Sequence, residues 1–293
     1  MTIQLPLGFA EIADEIQRFT DLSREDIERR LWLEALMSGY NVAQQGKQLG
    51  VTPHRFDETM ERLYKEGDGF IFETMAFWSS PLRMSWIYQA LGRIQQYAER
   101  QQRPLDDLSV LIFGDGSGND SLYLASNGLK IDYFDIPGSK TYDFASRRFE
   151  HYGQLGRIIR LVTDYADCLE RQYDVILSFE VLEHLTNPDQ AIGEWSRMVK
   201  PGGIALVTES FAAVSGNLPT HLESNLRFDG QTPFMFLKHG LRLTWYNQAP
   251  LFKPYEFTKA EKTGWQDYLG LMRDRQVFGK YLVTRLNGSN RPS

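Results

Sequence analysis

Two carboxylates and an imidazole are spaced so that they could act on one ligand: Glu180, Glu183 and His184. In a helical turn, positions i, i+3 and i+4 share a face, so these three side chains could converge on one divalent cation. His221 or Glu223 could complete such a shell. The same pattern is common on ordinary helices, so we expect no metal here. We favour His184 and Glu183 as catalytic residues, with His184 as a base or as a group that positions the acceptor.

A glycine-rich loop follows a run of β-prone apolar residues. Residues 108–113 read Leu-Ser-Val-Leu-Ile-Phe, which is typical of a buried parallel strand. Gly114, Gly116 and Gly118 follow at intervals of two, and their lack of a Cβ atom lets the backbone approach a ligand closely. A dinucleotide fingerprint needs its third glycine where this chain has Asn119. The spacing therefore favours a different nucleoside cofactor.

An acidic residue ends the next predicted strand. Residues 130–135 read Lys-Ile-Asp-Tyr-Phe-Asp, and the last carboxylate, Asp135, is placed to accept two hydrogen bonds from a ribose diol. The alternative is that Asp135 is a helix cap or a turn residue before Pro137.

Strand and helix patterns alternate through the middle of the chain. Asn187 and Pro188 predict the start of a helix that runs to Met198. This alternation indicates a parallel sheet with right-handed crossovers. The further predicted strands are 156–162, 173–179 and 204–208.

In these features, residues 105–210 resemble the Rossmann-like core of the class I S-adenosylmethionine-dependent methyltransferases. The resemblance implies an α/β fold with a doubly wound, mostly parallel seven-stranded sheet and helices on both faces. It also implies two more strands, for which the chain offers 241–246 and 277–284, the last one antiparallel. The features that carry it, in chain order, are the loop 114–118, Asp135, Asp164, the stretch 181–185 and Val199-Lys-Pro-Gly-Gly203.

The resemblance further implies S-adenosylmethionine as the cofactor and assigns roles to individual residues. The three loop glycines would lie under the methionine and ribose, Asp135 would bind the ribose hydroxyls, Asp164 the adenine amino group with Tyr165 beside the ring, and Phe179 and Glu180 would floor the pocket near the sulfonium. The Glu-x-x-Glu-His arrangement also resembles the metal site of ubiquinone-type O-methyltransferases and of small-RNA 2′-O-methyltransferases.

The chain departs from the family pattern at one position. Family members usually carry an acid two residues before the first glycine, and this chain has Ile112 there. Asp115, inside the loop, is the candidate substitute for binding the methionine amino group. This departure motivates an alternative: a catalytically silent protein that binds S-adenosylmethionine or serves a regulatory role on the same fold.

Residues 1–104 are predicted to form a helical cap or dimerisation module ahead of a methyltransferase domain at 105–286. Apolar residues recur at helical spacing, as at Ile12, Ile16 and Phe19, and again at Leu31, Leu36 and Met37. Residues 42–63 resemble a helix-turn-helix, yet residues 1–105 hold 12 Lys and Arg against 15 Asp and Glu, whereas a DNA reader needs a basic face. We therefore expect no nucleic-acid partner and a possible homodimer through these helices.

Aromatic residues cluster in two segments that could cover an acceptor pocket. One is 69–78, which includes Phe77, and the other is a predicted substrate-side insertion, 211–240, which includes Phe228, Phe234 and Phe236. Aromatic clusters are more often core, but two near the same sheet edge could enclose a small, partly apolar or aromatic metabolite. We expect O-methylation of that metabolite over N- or C-methylation, because Glu183 and His184 offer a base.

Composition sets the remaining expectations. The 293 residues carry a net charge of −6, which disfavours a polyanionic partner. No apolar run approaches the roughly 18 residues of a membrane span, and the N-terminus lacks a signal-peptide pattern, so we expect a cytoplasmic protein without a membrane partner. Residues 287–293 are predicted to be a flexible tail.

Overall fold

The computed structural model describes residues 5–248 and 253–288. Seven strands and thirteen α-helices are found within these ranges. The strands are β1 (Ser109–Phe113), β2 (Lys130–Phe134), β3 (Ile159–Leu161), β4 (Tyr173–Phe179), β5 (Val199–Thr208), β6 (Leu241–Tyr246) and β7 (Tyr255–Lys259). The helices are α1 (Phe9–Phe19), α2 (Arg24–Leu36), α3 (Tyr40–Leu49), α4 (Glu58–Glu66), α5 (Gly69–Trp78), α6 (Pro81–Gln101), α7 (Asn119–Ser126), α8 (Lys140–His151), α9 (Tyr165–Leu169), α10 (Pro188–Met198), α11 (Thr232–Lys238), α12 (Trp265–Arg273) and α13 (Arg275–Gly288).

The strands form one sheet in the order β3-β2-β1-β4-β5-β7-β6. The first five strands are parallel, and β7 pairs antiparallel with both β5 and β6. This is the doubly wound, mostly parallel seven-stranded sheet that the family resemblance implies. The strand order reverses between β1 and β4, which is where open α/β sheets bind their ligands.

Helices cover both faces of the sheet because the central strands are apolar on both sides. In β1, Val110 and Ile112 pack into one core with α6, α7 and α8, while Leu111 points to the other face and packs with α9, α10 and α11. All seven residues of β4 are buried. Continuous apolar runs are the expected sequence of such doubly covered strands, which explains why their positions were predictable.

The predicted helix at 188–198 is confirmed with its cap. The side chain of Asn187 accepts a hydrogen bond from the backbone N–H of Gln190 at 3.2 Å, and Pro188 occupies the first turn. The Lys200-Pro-Gly-Gly203 stretch, expected to separate this helix from a strand, instead forms the beginning of β5.

The predicted position of the seventh strand is wrong. Residues 277–284 belong to α13, and the seventh strand is β7, at Tyr255–Lys259. The contacts of this segment fit a helix. Val277 is buried against α11 and α12, and Thr284, two helical turns later, donates a hydrogen bond to Asp229 at 3.0 Å. Residues 289–293 of the predicted tail lie outside the described residues.

Helices α1–α5 precede the sheet, as predicted for a helical N-terminal segment. Ile12, Ile16 and Leu31 are buried in a small core that α1, α2 and α5 share with Phe144 of α8. Leu36 and Met37 are instead exposed, 80% and 44% respectively. No helix within the described ranges is both long and apolar enough to cross a membrane.

Candidate active site

A cavity of about 590 Å³ opens at the carboxyl ends of the parallel strands, at the reversal of strand order. Helices α4 and α5 and the beginning of α6 cover it, and the segment after β5 closes one side. Its volume lies within the range of small-molecule sites. Its lining includes Tyr64, Phe70, Glu73, Thr74, Phe77, Arg83, Phe113, Gly114, Asp115, Gly116, Asp120, Asp135, Phe179, Glu180, His184, Ala213, Leu218 and His221.

The glycine loop lies against the covering helix α5. Gly116 has a φ of +58°, and a Cβ atom there would come within 3.0 Å of the Thr74 methyl group. Gly118 has a different surrounding, since its Cβ atom would come within 2.4 Å of the Phe149 ring of α8. Gly114 and Gly116 therefore border the cavity, whereas Gly118 permits close packing of α7 against α8.

Asp115, the candidate substitute for the missing acid, binds the start of α7. Its carboxylate accepts hydrogen bonds from the backbone N–H groups of Asp120 and Ser121 at 3.0 and 2.7 Å. Burial, with the nearby Asp120 carboxylate, raises the pKa of Asp115 to about 8. Ile112 itself is 1% exposed in the core. The Asp115 carboxylate lines the cavity, but its oxygens are engaged in capping a helix.

Asp135 reaches the cavity from the end of β2. One carboxylate oxygen accepts the Gly116 N–H at 2.7 Å and the other accepts the Ile136 N–H at 2.7 Å. Burial raises the pKa of this carboxyl group, and the two backbone donors oppose that effect. Each carboxylate oxygen retains further lone-pair capacity. The side chain is thus fixed in position at the edge of the cavity, and its oxygens can accept further hydrogen bonds from a ligand.

Asp164 and Tyr165 lie outside the cavity lining. Asp164 is exposed and caps α9 by accepting the Ala166 N–H at 2.9 Å. The Tyr165 hydroxyl donates to Glu194 at 2.7 Å, and its ring packs against Phe113 and Phe134. Their assignment to the adenine ring stays a prediction.

Arg83 is a polar group of the cavity that the sequence reasoning missed. It is 6% exposed, and its Nη2 donates to Asp120 at 2.5 Å while Trp78 donates to the other oxygen of that carboxylate at 2.8 Å. Its Nη1 is buried without a hydrogen-bond partner. The guanidinium also lies over the Phe179 ring, 4.9 Å from its centroid. The only sequence signal was an arginine in an otherwise apolar face of α6.

A second group of polar side chains, Glu183, His184 and His221, borders the cavity through its two histidines. Their potential ligand atoms lie within 4.8 Å of one another. Both carboxylate oxygens of Glu183 and the Nδ1 of His221 are buried without hydrogen-bond partners. Burial and the nearby Glu180 raise the pKa of Glu183 well above its usual range, and burial lowers that of His221 to about 3.

His184 is held in one orientation by its Nδ1. That atom lies 3.1 Å from the Thr220 carbonyl oxygen and 3.2 Å from the Tyr64 hydroxyl. Because a carbonyl can only accept, the neutral ring carries its proton on Nδ1 and its lone pair on Nε2. Burial lowers the pKa of His184, so the ring is neutral at pH 7. It is a base with its acceptor atom free.

Glu180 does not join this group, contrary to the shared face expected from a helical turn. Residues 182–184 form a 3-10 turn, and Glu180 precedes it with a φ of +55°, an unusual conformation for a residue other than glycine. Its carboxylate instead binds Lys253 at 2.8 Å and accepts a hydrogen bond from the Ser210 hydroxyl. Lys253 holds the pKa of Glu180 below its usual range. Glu223, the other candidate ligand, is exposed.

Two residues that sequence reasoning passed over fix this group in place. The Asn225 amide donates to the carbonyl oxygens of Glu183 at 3.0 Å and Leu185 at 2.8 Å. The His54 ring bonds the His221 carbonyl oxygen at 2.9 Å through Nδ1, with its own backbone at a φ of +67°. The helical segment before the sheet thus takes part in building the site.

Of the two aromatic segments expected to cover the cavity, 69–78 contributes rings to its lining, whereas Phe234 and Phe236 of the insertion do not line it. Phe70 and Phe77 of α5 line the cavity. From the insertion, Phe236 stacks on Phe257 in the core, 3.9 Å between centroids, and Phe234 packs against Tyr281 of α13. The insertion contributes Ala213, Leu218 and His221 instead.

Known proteins resemble part of this chain. The relatives include ubiquinone biosynthesis O-methyltransferases of Leptothrix cholodnii, 30% identical over 42% of this chain and 48% of the relative, and of Shewanella pealeana, 30% identical over 50% and 56%. The chain thus spans about half the length of these relatives. Among solved structures, magnesium protoporphyrin IX methyltransferase from Synechocystis, with bound S-adenosylmethionine, matches 61% of this chain and 82% of its own at 15% identity, with a TM-score of 0.44.

The family model described as "Methyltransferase domain" matches residues 83–254, which run from the buried arginine of α6 to the start of β7. That range contains the glycine loop, the acid after β2 and the turn after β4. The chain belongs to this family, the class I S-adenosylmethionine-dependent methyltransferases.

Proposed function

We propose that this protein transfers the methyl group of S-adenosylmethionine to a hydroxyl group of a small, partly apolar or aromatic metabolite. The observation that carries the proposal is one cavity lined by two separate groups of polar side chains. In the first, which we call the donor end, Asp135 accepts the Gly116 N–H and Arg83 binds Asp120. In the second, the acceptor end, the neutral imidazole of His184 lies with His221, beside Glu183. The first end suits a nucleoside with an amino-acid tail, and the second suits a group that must lose a proton.

At the donor end, each polar side chain matches a part of the cofactor. Asp135 has acceptor capacity for the ribose hydroxyls, and the buried Nη1 of Arg83 is a donor for the methionine carboxylate. Asp115 supports these contacts indirectly by capping α7. For the adenine ring, the roles of Asp164 and Tyr165 remain predictions.

At the acceptor end, the chain supplies a proton acceptor. When bound, S-adenosylmethionine supplies a methyl group on a positively charged sulfur, so the protein has mainly to align the acceptor oxygen and exclude water. Nε2 of His184 would take the hydroxyl proton as the methyl carbon exchanges its bond to sulfur, which leaves as a neutral thioether, for a bond to the acceptor oxygen. Tyr64 and Thr220 keep the ring oriented for this step, and general-base catalysis of this kind contributes about 10²- to 10⁴-fold.

The same residues favour a second role for this end, as a divalent-cation site. Glu183, His184 and His221 offer one carboxylate and two imidazoles, and the unpaired oxygens of Glu183 and Nδ1 of His221 are the kind of buried atoms that a cation would satisfy. These three residues would hold it, and a cation there would lower the pKa of an acceptor hydroxyl. The sequence pattern alone favoured no metal.

The apolar lining indicates the class of acceptor. Phe56 and Phe70 pack against Tyr64, the side chain that contacts His184, and together with Leu218 they present few polar atoms to the cavity. Phe77, whose ring contacts Trp86, adds to this apolar lining. The relatives named for O-methylation in ubiquinone biosynthesis support an oxygen acceptor of this type.

A turnover assay tests the proposal. Release of S-adenosylhomocysteine is measured with a panel of small phenols and amines, with and without chelator, for wild type, His184→Asn and the control His151→Asn, a histidine outside the cavity lining. We expect turnover with phenols, a loss of about 10² or more in kcat for His184→Asn, and no loss for the control. Cofactor binding without turnover on any acceptor would favour the silent binding protein.

A further inference from the structure

Glu73, on α5, is a cavity carboxyl group with no hydrogen-bond partner among the described residues. The other carboxylates that line the cavity all have hydrogen-bond or ion-pair partners. Asp115 caps α7, Asp120 binds Trp78 and Arg83, Asp135 binds two backbone N–H groups, and Glu180 binds Lys253. A carboxyl group left unpaired in a cavity is a site for a donor or a cation.

Glu73 lies on the helix face that covers the glycine loop. Its neighbour Thr74 is the side chain that a Cβ atom at Gly116 would touch, at 3.0 Å. One turn further along α5, Trp78 donates to the Asp120 carboxylate that holds Arg83. Glu73 thus belongs to the wall that runs from the loop to the guanidinium, where the amino-acid end of the donor would lie.

The chain lacks the acid that binds this end of the cofactor in the resembled family. Ile112 stands in its place, 1% exposed within the core, so it presents no polar atom. Resting on the proposed function, we propose that Glu73 binds the α-ammonium group of the donor's methionine moiety, while Arg83 binds its carboxylate. The acid has moved from a strand of the sheet to the covering helix.

The surroundings of Glu73 make a bound cation favourable. Burial, with the negative charge of Glu34 on α2, raises the pKa of Glu73 to about 8, so most of it carries a proton at pH 7 while the cavity is empty. A bound ammonium group favours the ionised form, and binding at pH 7 then releases about one proton. The other titratable groups around it are Tyr64 on α4 and, along the cavity, Arg83, Asp115, Asp120, Asp135, Glu180, His184 and His221.

Calorimetric titration with a matched pair of ligands tests the proposal. One ligand is S-adenosylhomocysteine, and the other is the same thioether without its α-amino group. For wild type we expect the amino compound to bind about 10- to 100-fold more tightly, as befits a charge-assisted hydrogen bond. Glu73→Gln should reduce that ratio to about 3-fold or less, and the surface control Glu66→Gln should leave it unchanged.

Proton release gives a second readout that a merely structural role would not move. Titrations in buffers of different ionisation enthalpy should show about one proton released by wild type with the amino compound, and none by Glu73→Gln. Equal affinity of wild type for the two ligands overturns the proposal without any variant, as does an equal loss of both affinities in Glu73→Gln. If wild type binds neither ligand, the proposed function itself fails.

Discussion

Replacing Lys253 by methionine removes a buried positive charge and keeps most of the side-chain volume. Lys253 is 6% exposed, and its Nζ lies 2.8 Å from a Glu180 carboxylate oxygen and 2.8 Å from the Ser210 hydroxyl. The same Nζ lies 5.2 Å from the centroid of the Trp86 ring. The Glu180 side chain is 20% exposed, so water replaces the ammonium group poorly.

The expected cost follows from leaving one charge of a buried pair uncompensated, which is about 3 to 5 kcal/mol. For a chain of this size that lowers the Tm by about 6 to 10 °C. The pKa of Glu180, now held below its usual range by Lys253, would rise in the variant. The loss of stability in the variant, relative to wild type, is therefore largest at neutral pH and becomes smaller as Glu180 is protonated in acid.

Thermal and urea unfolding of four proteins measure this effect: wild type, Lys253→Met, Lys253→Met with Glu180→Gln, and Lys238→Met. The double variant should recover most of the loss, because it removes the orphaned charge. Lys238→Met breaks the exposed pair with Asp189 and should cost less than about 1 kcal/mol. Either a Lys253→Met protein as stable as wild type, or a double variant no more stable than the single one, would show that the unpaired Glu180 charge does not carry this cost.

Three further predictions follow from the packing and charges of the fold. Gly118→Ala should lower the free energy of unfolding by about 2 kcal/mol or more, because its Cβ atom would lie 2.4 Å from the Phe149 ring in a backbone with a φ of +79°. An unchanged midpoint of urea unfolding would contradict this. Hydrogen bonds from Lys200, Ser109 and Arg103 hold the pKa of Asp174 at about 2, so the stability that this carboxylate contributes to wild type should be lost as the pH falls from about 4 to 2. In Asp174→Asn the free energy of unfolding should therefore depend less on pH over this range. Identical pH dependence of the two proteins would argue against it. Phe77→Ala should weaken acceptor binding, measured as a higher KM, whereas Phe234→Ala should lower the Tm and leave KM unchanged. Equal effects of the two substitutions on KM would contradict the assignment of Phe77, and not Phe234, to the cavity lining.

Local patterns predicted the parts of the fold that depend on local forces. The apolar run of β4 and the Asn187–Pro188 helix start lie where the sequence placed them, because burial on both faces and capping are encoded by adjacent residues. The position of the glycine loop was readable for the same reason. The seventh strand was not, since 277–284 holds β-prone residues whose helical contacts depend on α11 and α12.

The partners of each site residue depend on tertiary structure and could not be read from spacing. Glu180 and Glu183 are three residues apart, yet one binds Lys253 and the other lies beside His221. Those partners come from segments far along the chain. Arg83 belongs to no sequence motif. It is a candidate site residue because its Nη1 is buried without a hydrogen-bond partner, which only the tertiary structure shows.

Whether this cavity holds the methyl donor is measured by the binding of S-adenosylhomocysteine to the wild-type protein, which requires the donor end of the cavity and no knowledge of the acceptor. Titration calorimetry should give a Kd in the micromolar range, on the order of −8 kcal/mol, and Asp135→Ala should weaken it by about tenfold or more. No binding at millimolar ligand, or binding that Asp135→Ala leaves intact, would contradict the account.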